Sequence, residues 1–180
     1  MTALWRRETN DMLSHLKWHL TRSEWLMLLC GALGVLHHTD HVLRFDHSGW
    51  PFRDIVTPFT FSLLVYPLLI WAFFLRRGGW GRFATVLTIF LFTQSAHTFL
   101  ETPGQQYCVW AYNASCTTGA TAGMPNLLGW HSPLMGVTAA LLSFALSAAL
   151  IATCVSLFLD ARRESGGQRE NELRKSGYRA

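Results

Sequence analysis

Five of the eight histidines of this chain lie in three short stretches, two of which also contain a carboxylate. The first reads His-His-Thr-Asp-His over 37–41, the second carries His97 and Glu101, and the third carries His131. Residues four apart in a helix lie about 40° from each other around its axis, so two groups of one stretch can reach a common ion. Neutral imidazole and carboxylate oxygen suit zinc, iron, copper or manganese. The pattern predicts a transition-metal site, with haem as an alternative cofactor.

Each residue of this set has an expected role. The predicted metal ligands are His37, His41, His97 and His131. Glu101 is predicted to be a further ligand or the general base that moves a proton in catalysis. Asp40 is expected near the metal, where it would orient a ligating histidine through the second ring nitrogen. His38 and His47 are expected to take no part in binding.

Four apolar stretches separate the polar groups and must position them. They cover about 24–43, 58–75, 83–100 and 132–159. A helix of about 20 residues crosses the apolar layer of a bilayer, and these stretches lack the period-two alternation of strands. Because only helices or closed barrels satisfy their backbone groups in lipid, the predicted fold is an all-α integral membrane domain over 23–159, a four-transmembrane-helix bundle.

The positive residues predict how this bundle sits in the cell membrane. Nearly all Lys and Arg residues precede the first apolar stretch, lie in 76–82 or follow the last stretch, whereas the connection 101–131 contains none. The positive-inside rule then predicts a multi-pass protein with both termini in the cytoplasm and 101–131 outside. The net charge of +4 is therefore a signal of topology, and no nucleic-acid partner is expected.

This topology brings three polar helix ends to one level. Spans one and three end on the extracytoplasmic side and span four begins there, so their histidines are predicted to meet.

Pro67 in span two removes a backbone hydrogen bond and is expected to kink the helix. Tyr66 beside it, with tryptophans near the outer surface, could shape an apolar cavity next to the cluster or serve as packing and interfacial residues.

The segments at the ends of the spans carry further signals. Residues 1–22 are predicted to hold a short cytoplasmic interfacial helix, and the charged, glycine-containing segment 160–180 a flexible cytoplasmic tail. Ser23 and Ser132 are the predicted N-caps of spans one and four. The spacing of Cys108 and Cys116 permits a disulfide in an oxidising compartment.

Span four also indicates a possible mode of assembly. It carries small residues at spacings near four, namely Gly136, Ala139, Ala140, Ser143, Ser147 and Ala148. Such residues let neighbouring helix backbones approach closely in a membrane. Besides the lipid bilayer, the expected partners are therefore other membrane subunits or a second copy of the chain.

One motif resembles a known family. His97-x3-Glu101 in a four-helix membrane protein is similar to the His-x3-Glu found in a span of the isomerase members of the sterol-isomerase and sigma-receptor-like family. The histidine-rich run at 37–41 departs from that family's pattern, so the family's activity is not assigned to this chain.

Three functions fit the pattern. The first is a metal-dependent membrane enzyme acting on a lipid-soluble substrate, with the ion polarising the substrate or activating water. The second is a non-catalytic metal-binding or haem-binding subunit of a larger membrane complex. The third is a ligand-binding or assembly protein in which the histidines and carboxylates form a structural hydrogen-bonded network, since ionisable groups at this depth often pair with one another.

Overall fold

The computed structural model of the chain describes residues 20–44, 58–75, 78–118 and 121–177. These residues form helices and no strand, which confirms the all-helical prediction for the part of the chain described. The helices are α1 (Arg22–Arg44), α2 (Pro58–Ser62), α3 (Val65–Phe74), α4 (Gly79–Phe99), α5 (Pro103–Tyr112) and α6 (Pro133–Lys175). The predicted interfacial helix of the first 22 residues lies almost entirely outside the described residues.

Length and composition identify two to three candidate membrane spans among these helices. α1 and α6 are each long and apolar enough to cross a membrane. α4 and α5 pass the same criterion only together, and the chain bends by 57° between them. The segment 59–74 is apolar but short. The structure thus supports a membrane protein, and the predicted fourth span and orientation stay predictions.

α1 and α6 each bury one continuous stripe of side chains. The buried residues of α1 recur at alternating spacings of four and three, as Ser23, Met27, Cys30, Gly34, His37, His41 and Arg44. α6 shows the same alternation in Gly136, Ala139, Ser143, Leu146, Leu150, Thr153 and Leu157. Such spacing keeps one side of a helix against its neighbours along its whole length. The histidines of α1 therefore continue the stripe that buries Met27 and Cys30.

The second apolar segment is broken into α2 and α3. At the break, Leu64 N–H donates to Phe61 O and Tyr66 N–H donates to Leu63 O, each three residues back along the chain. Such bonds are typical of a tightened turn. Pro67 lies in the first turn of α3, where its missing N–H is tolerated. The predicted distortion is confirmed, although it takes the form of a break just before the proline.

The predicted N-cap is confirmed for α6 and is wrong for α1. Ser132 caps α6, since its side chain accepts a bond from Met135 N–H. The predicted cap Ser23 is wrong, because Ser23 lies inside α1 and is buried. Thr21 takes that place: its hydroxyl accepts from Glu24 N–H at 3.2 Å and its own N–H donates to the Glu24 carboxylate at 2.8 Å. This reciprocal pair satisfies two donors at the helix start.

Two segments outside the predicted spans, 101–131 and 160–180, contain helix. α6 continues to Lys175, so 160–175 is helical where a flexible tail is predicted. Its extension contacts the start of α4, where Gly79 N–H donates to the Glu164 carboxylate at 3.2 Å. In the predicted loop 101–131, Thr102 and Gln105 cap α5. Cys108 and Cys116 lie at disulfide distance with their Cα atoms 5.9 Å apart, as their spacing predicts.

Candidate functional site

Two histidines of α1 form the centre of a buried polar cluster. His37 and His41 lie one turn apart on the buried stripe and are 4% and 6% exposed. Their Nε2 atoms are 3.0 Å apart, within hydrogen-bond distance, and their ring centroids are 4.5 Å apart. The predicted common face of the two imidazoles is confirmed.

The end of α4 supplies a third imidazole and a carboxylate. The His97 ring lies 4.9 Å from the His37 ring, measured between centroids. Glu101, which follows α4, is 1% exposed and forms an ion pair with Arg44 of α1. Its Oε2 atom is 3.2 Å from Arg44 Nη2 and 3.5 Å from His41 Nδ1. The structure thus brings together His37 and His41 with His97 and Glu101, two pairs that are far apart in the sequence.

Asp40 has a different environment from the one predicted. It accepts a hydrogen bond from Arg44 Nε at 2.7 Å, the side-chain pairing expected at a spacing of four. Its other oxygen accepts from the indole Nε1–H of Trp110, also at 2.7 Å. Trp110 belongs to α5 and is fully buried. In the structure Asp40 therefore holds Arg44 and attaches α5 to α1, in place of orienting a histidine.

Gln106 and Ser143 belong to the cluster but carried no sequence signal for it. Ser143 Oγ donates to Gln106 Oε1 at 2.6 Å and lies 3.5 Å from His37 Nδ1. Gln106 Nε2 lies 3.4 Å from both His97 Nδ1 and Glu101 Oε2. The sequence identifies Ser143 only as a small packing residue. Gln106 lies in α5, a helix that the apolar periodicity of the sequence did not predict. Together they join α4, α5 and α6 around the histidines.

Arg44 sets the direction of the hydrogen bonds through the cluster. A guanidinium can only donate, so His41 Nδ1, 3.2 Å from Arg44 Nη2, accepts. Neutral His41 then carries its proton on Nε2 and donates it to His37 Nε2. His37 in turn carries its proton on Nδ1, facing Ser143. Because His97 Nδ1 faces the Gln106 amide N–H, the remaining proton of the network lies on His97 Nε2.

The two remaining histidines of the described residues, His38 and His131, lie apart from these hydrogen bonds. His131, predicted as a ligand, is exposed, because it precedes α6 and the buried stripe of that helix begins only at Gly136. His38, expected to take no part, has its Nδ1 2.8 Å from the Tyr66 hydroxyl and its Nε2 2.7 Å from Ser62 Oγ. His47 lies outside the described residues.

A cavity of about 60 Å³ adjoins the cluster. It follows three turns of α1, from Cys30 to His41, and all three clustered imidazoles and His38 contribute to its wall. The remaining wall is mainly apolar and includes Phe59, Leu69, Ile89, Phe92, Leu146 and Leu150. At roughly 10–15 Å³ per water, the cavity has room for a small polar head group or about four to six waters.

The cluster is hydrogen-bonded internally, and it does not resemble a preformed metal site. Among the described residues, no group of three or more His, Cys, Asp or Glu side chains has the arrangement needed to hold a metal ion. The cationic guanidinium of Arg44 also contacts His41 directly. Metal binding therefore stays a prediction.

Comparison with known proteins adds no assignment. No family model, no curated protein and no solved structure matches the chain.

Proposed function

We propose that this chain is a cell-membrane protein of four spans, with both termini in the cytoplasm, that binds a lipid-soluble molecule in the cavity beside His37, His41 and His97. The observation that carries the proposal is the cavity itself, which combines apolar walls with four imidazoles. Small-molecule sites typically pair an apolar lining with a few placed polar groups. The preferred ligand is apolar over most of its length and carries one polar head group.

His97 is the residue proposed to bind the head group. Its ring lines the cavity, and its Nε2 carries a proton in the hydrogen-bond arrangement set by Arg44. A carbonyl or hydroxyl oxygen of the ligand would accept a hydrogen bond from the Nε2–H of His97. Leu146 and Leu150 of α6 and Ile89 of α4 would contact the apolar part.

The proposal gives Glu101 a structural role. Glu101 is paired with Arg44 and is not among the described residues that line the cavity. A general base must come within hydrogen-bond reach of the substrate proton. We therefore propose that Glu101 stabilises the cluster. The proposed function is binding of the ligand and not its chemical conversion.

A metal site at the same imidazoles is the second candidate. Two nitrogen ligands of a tetrahedral ion with bonds of 2.0–2.1 Å lie about 3.3 Å apart. The 3.0 Å separation of the His37 and His41 Nε2 atoms is close to that value, and His97 would be the third ligand. Imidazoles are donors for zinc, copper, iron or manganese, but the three side chains would have to rearrange, since no such group of three among the described residues is arranged to hold an ion. Haem is not retained, because a cavity of about 60 Å³ is too small for a porphyrin.

Analysis of the purified protein separates the two candidates. We expect mass spectrometry of an organic extract to detect a co-purifying lipid-soluble molecule, which is lost in His97→Ala and retained in the control His131→Ala, whose histidine is exposed. Stoichiometric metal in elemental analysis, lost in His37→Ala, would favour the second candidate. An extract without such a molecule, or one that His97→Ala leaves unchanged in a folded variant, contradicts the ligand proposal.

A further inference from the structure

An open apolar groove runs along the outer side of α1 and α3. Its volume is about 420 Å³, and its lining includes Met27, Leu28, Val35, Ile70, Phe73 and Phe74. Several of these side chains are strongly exposed, with Val35 at 54%, Ile70 at 58% and Phe74 at 63%. Both helices belong to apolar segments, so in a membrane this groove faces the hydrocarbon of the bilayer.

The groove and the histidine cavity have a wall in common. Gly31, Tyr66 and Leu69 line both. A methyl group added at Gly31 would lie 3.5 Å from Leu69 Cδ2, and one at Gly34 would lie 3.8 Å from the Tyr66 hydroxyl. Between groove and cavity there is thus one layer of side chains, supported on the α1 side by glycines.

Tyr66 is held in this wall by a side-chain hydrogen bond to α1. Its hydroxyl bonds to His38 Nδ1 at 2.8 Å, which holds the ring against α1. Tyr66 lies next to the break between α2 and α3, and its ring is only partly buried. A rotamer change of Tyr66 that breaks this hydrogen bond would open the cavity to the groove.

We propose that the ligand enters the cavity sideways from the bilayer through this groove, with Tyr66 as the gate. The inference rests on the proposed function. The occupant is a single-tailed amphiphile, whose head group lies among the histidines while its hydrocarbon tail passes Gly31 and Leu69 and lies in the groove. The supporting observations are the common wall and the lining of the groove, in which the Tyr66 hydroxyl is the one side-chain polar group among the described lining residues.

Cys30 provides a test, because it lines the cavity but not the groove. In a Cys154→Ser background reconstituted in liposomes, N-dodecylmaleimide should modify Cys30, since this reagent is itself a single-tailed amphiphile. Gly31→Ile should slow the modification about tenfold or more by filling the passage. Tyr66→Phe should accelerate it by removing the bond to His38. Ala148→Ile, which places the same side chain on an exposed face of α6, should leave the rate unchanged.

The contradicting results are distinct from those for the proposed function. An unchanged rate in Gly31→Ile, or equally fast modification by a sulfonated maleimide that cannot enter the bilayer, would overturn lateral entry. If Gly31→Ile fails to fold, Leu69→Phe narrows the same passage from α3 and takes its place.

The two proposals can fail separately. If lateral entry fails but a ligand still co-purifies and depends on His97, the proposed function stands and the ligand uses a different entrance. In the reverse case, Cys30 is modified as expected but no ligand co-purifies. That result supports lateral entry and contradicts the proposed function.

Discussion

Arg44 joins both carboxylates of the cluster to one of its histidines. It is fully buried and reaches Asp40, His41 and Glu101. A buried ion pair adds little net stability compared with apolar packing, but the loss of one partner leaves a charge without compensation in a low-dielectric interior. Because a guanidinium never accepts, Arg44 also fixes which nitrogen of His41 carries a proton. Its role is thus both electrostatic and directional.

The pair between Arg44 and Glu101 leads to a prediction at the residue scale. Glu101→Gln should lower the free energy of unfolding by about 3–5 kcal/mol, because it leaves the Arg44 guanidinium buried with one carboxylate fewer. Denaturant unfolding in detergent, followed by helical circular dichroism, measures the change.

Glu170→Gln is the matched control for that substitution. Glu170 also pairs with an arginine, Arg174 at 3.0 Å, but both side chains are exposed. Surface pairs of this kind contribute little to stability, so the control should unfold like the unaltered chain. Equal effects of the two substitutions would show that the buried pair is not important for stability.

At the scale of elements, α5 decides what surrounds the histidines. It follows α4 after a 57° bend and supplies Gln106 and Trp110 to the cluster. Its close approach to α6 depends on Gly136, because a methyl group there would lie 2.7 Å from Tyr107 O and 3.2 Å from Tyr107 Cα. These are backbone atoms, which cannot move without moving the helix. One small residue in α6 therefore positions the polar groups of α5.

Gly136→Ala should consequently displace α5. We expect a loss of about 1–3 kcal/mol in unfolding free energy, typical of overpacking at a close contact, together with weaker retention of the co-purifying ligand. Thermal unfolding and mass spectrometry of the extract measure the two effects.

Gly166→Ala makes the same chemical change in the same helix at an open position, where a methyl group would meet no atom within 4 Å. Because alanine is the better helix former, this variant should be more stable by about 0.5–1 kcal/mol. The explanation for Gly136 fails if both alanine variants gain stability.

For the whole molecule, orientation in the membrane decides which side the cluster faces. The Cys108–Cys116 pair in and after α5 is consistent with an oxidising, extracytoplasmic side. The basic residues at the far end of α6, including Arg174 and Lys175, are consistent with the cytoplasm. The two signals agree on one topology.

Single introduced cysteines test that topology. In a background with Cys30 and Cys154 replaced by serine, an impermeant maleimide should label Leu128→Cys in intact cells, because Leu128 is exposed and follows α5. Ser176→Cys, exposed at the end of α6, should be labelled only after the membrane is permeabilised. Labelling of both positions in intact cells, or of Ser176→Cys alone, contradicts the orientation.

The sequence by itself determined the features that depend on local periodicity and composition. Apolar length placed α1, α4 and α6, the spacing of four put His37 and His41 on one face, and the common end of two spans brought His97 and Glu101 to them. These inferences succeed because helical geometry relates near neighbours in a fixed way.

Only the tertiary structure decided which distant groups complete the site. It placed Gln106 and Ser143 beside the histidines and the carboxylate, left His131 exposed, and formed a cavity between α1, α2, α3, α4 and α6. The physical reason is that a bend of 57° and a close approach at Gly136 depend on how several helices pack together. No local pattern in the chain encodes that packing.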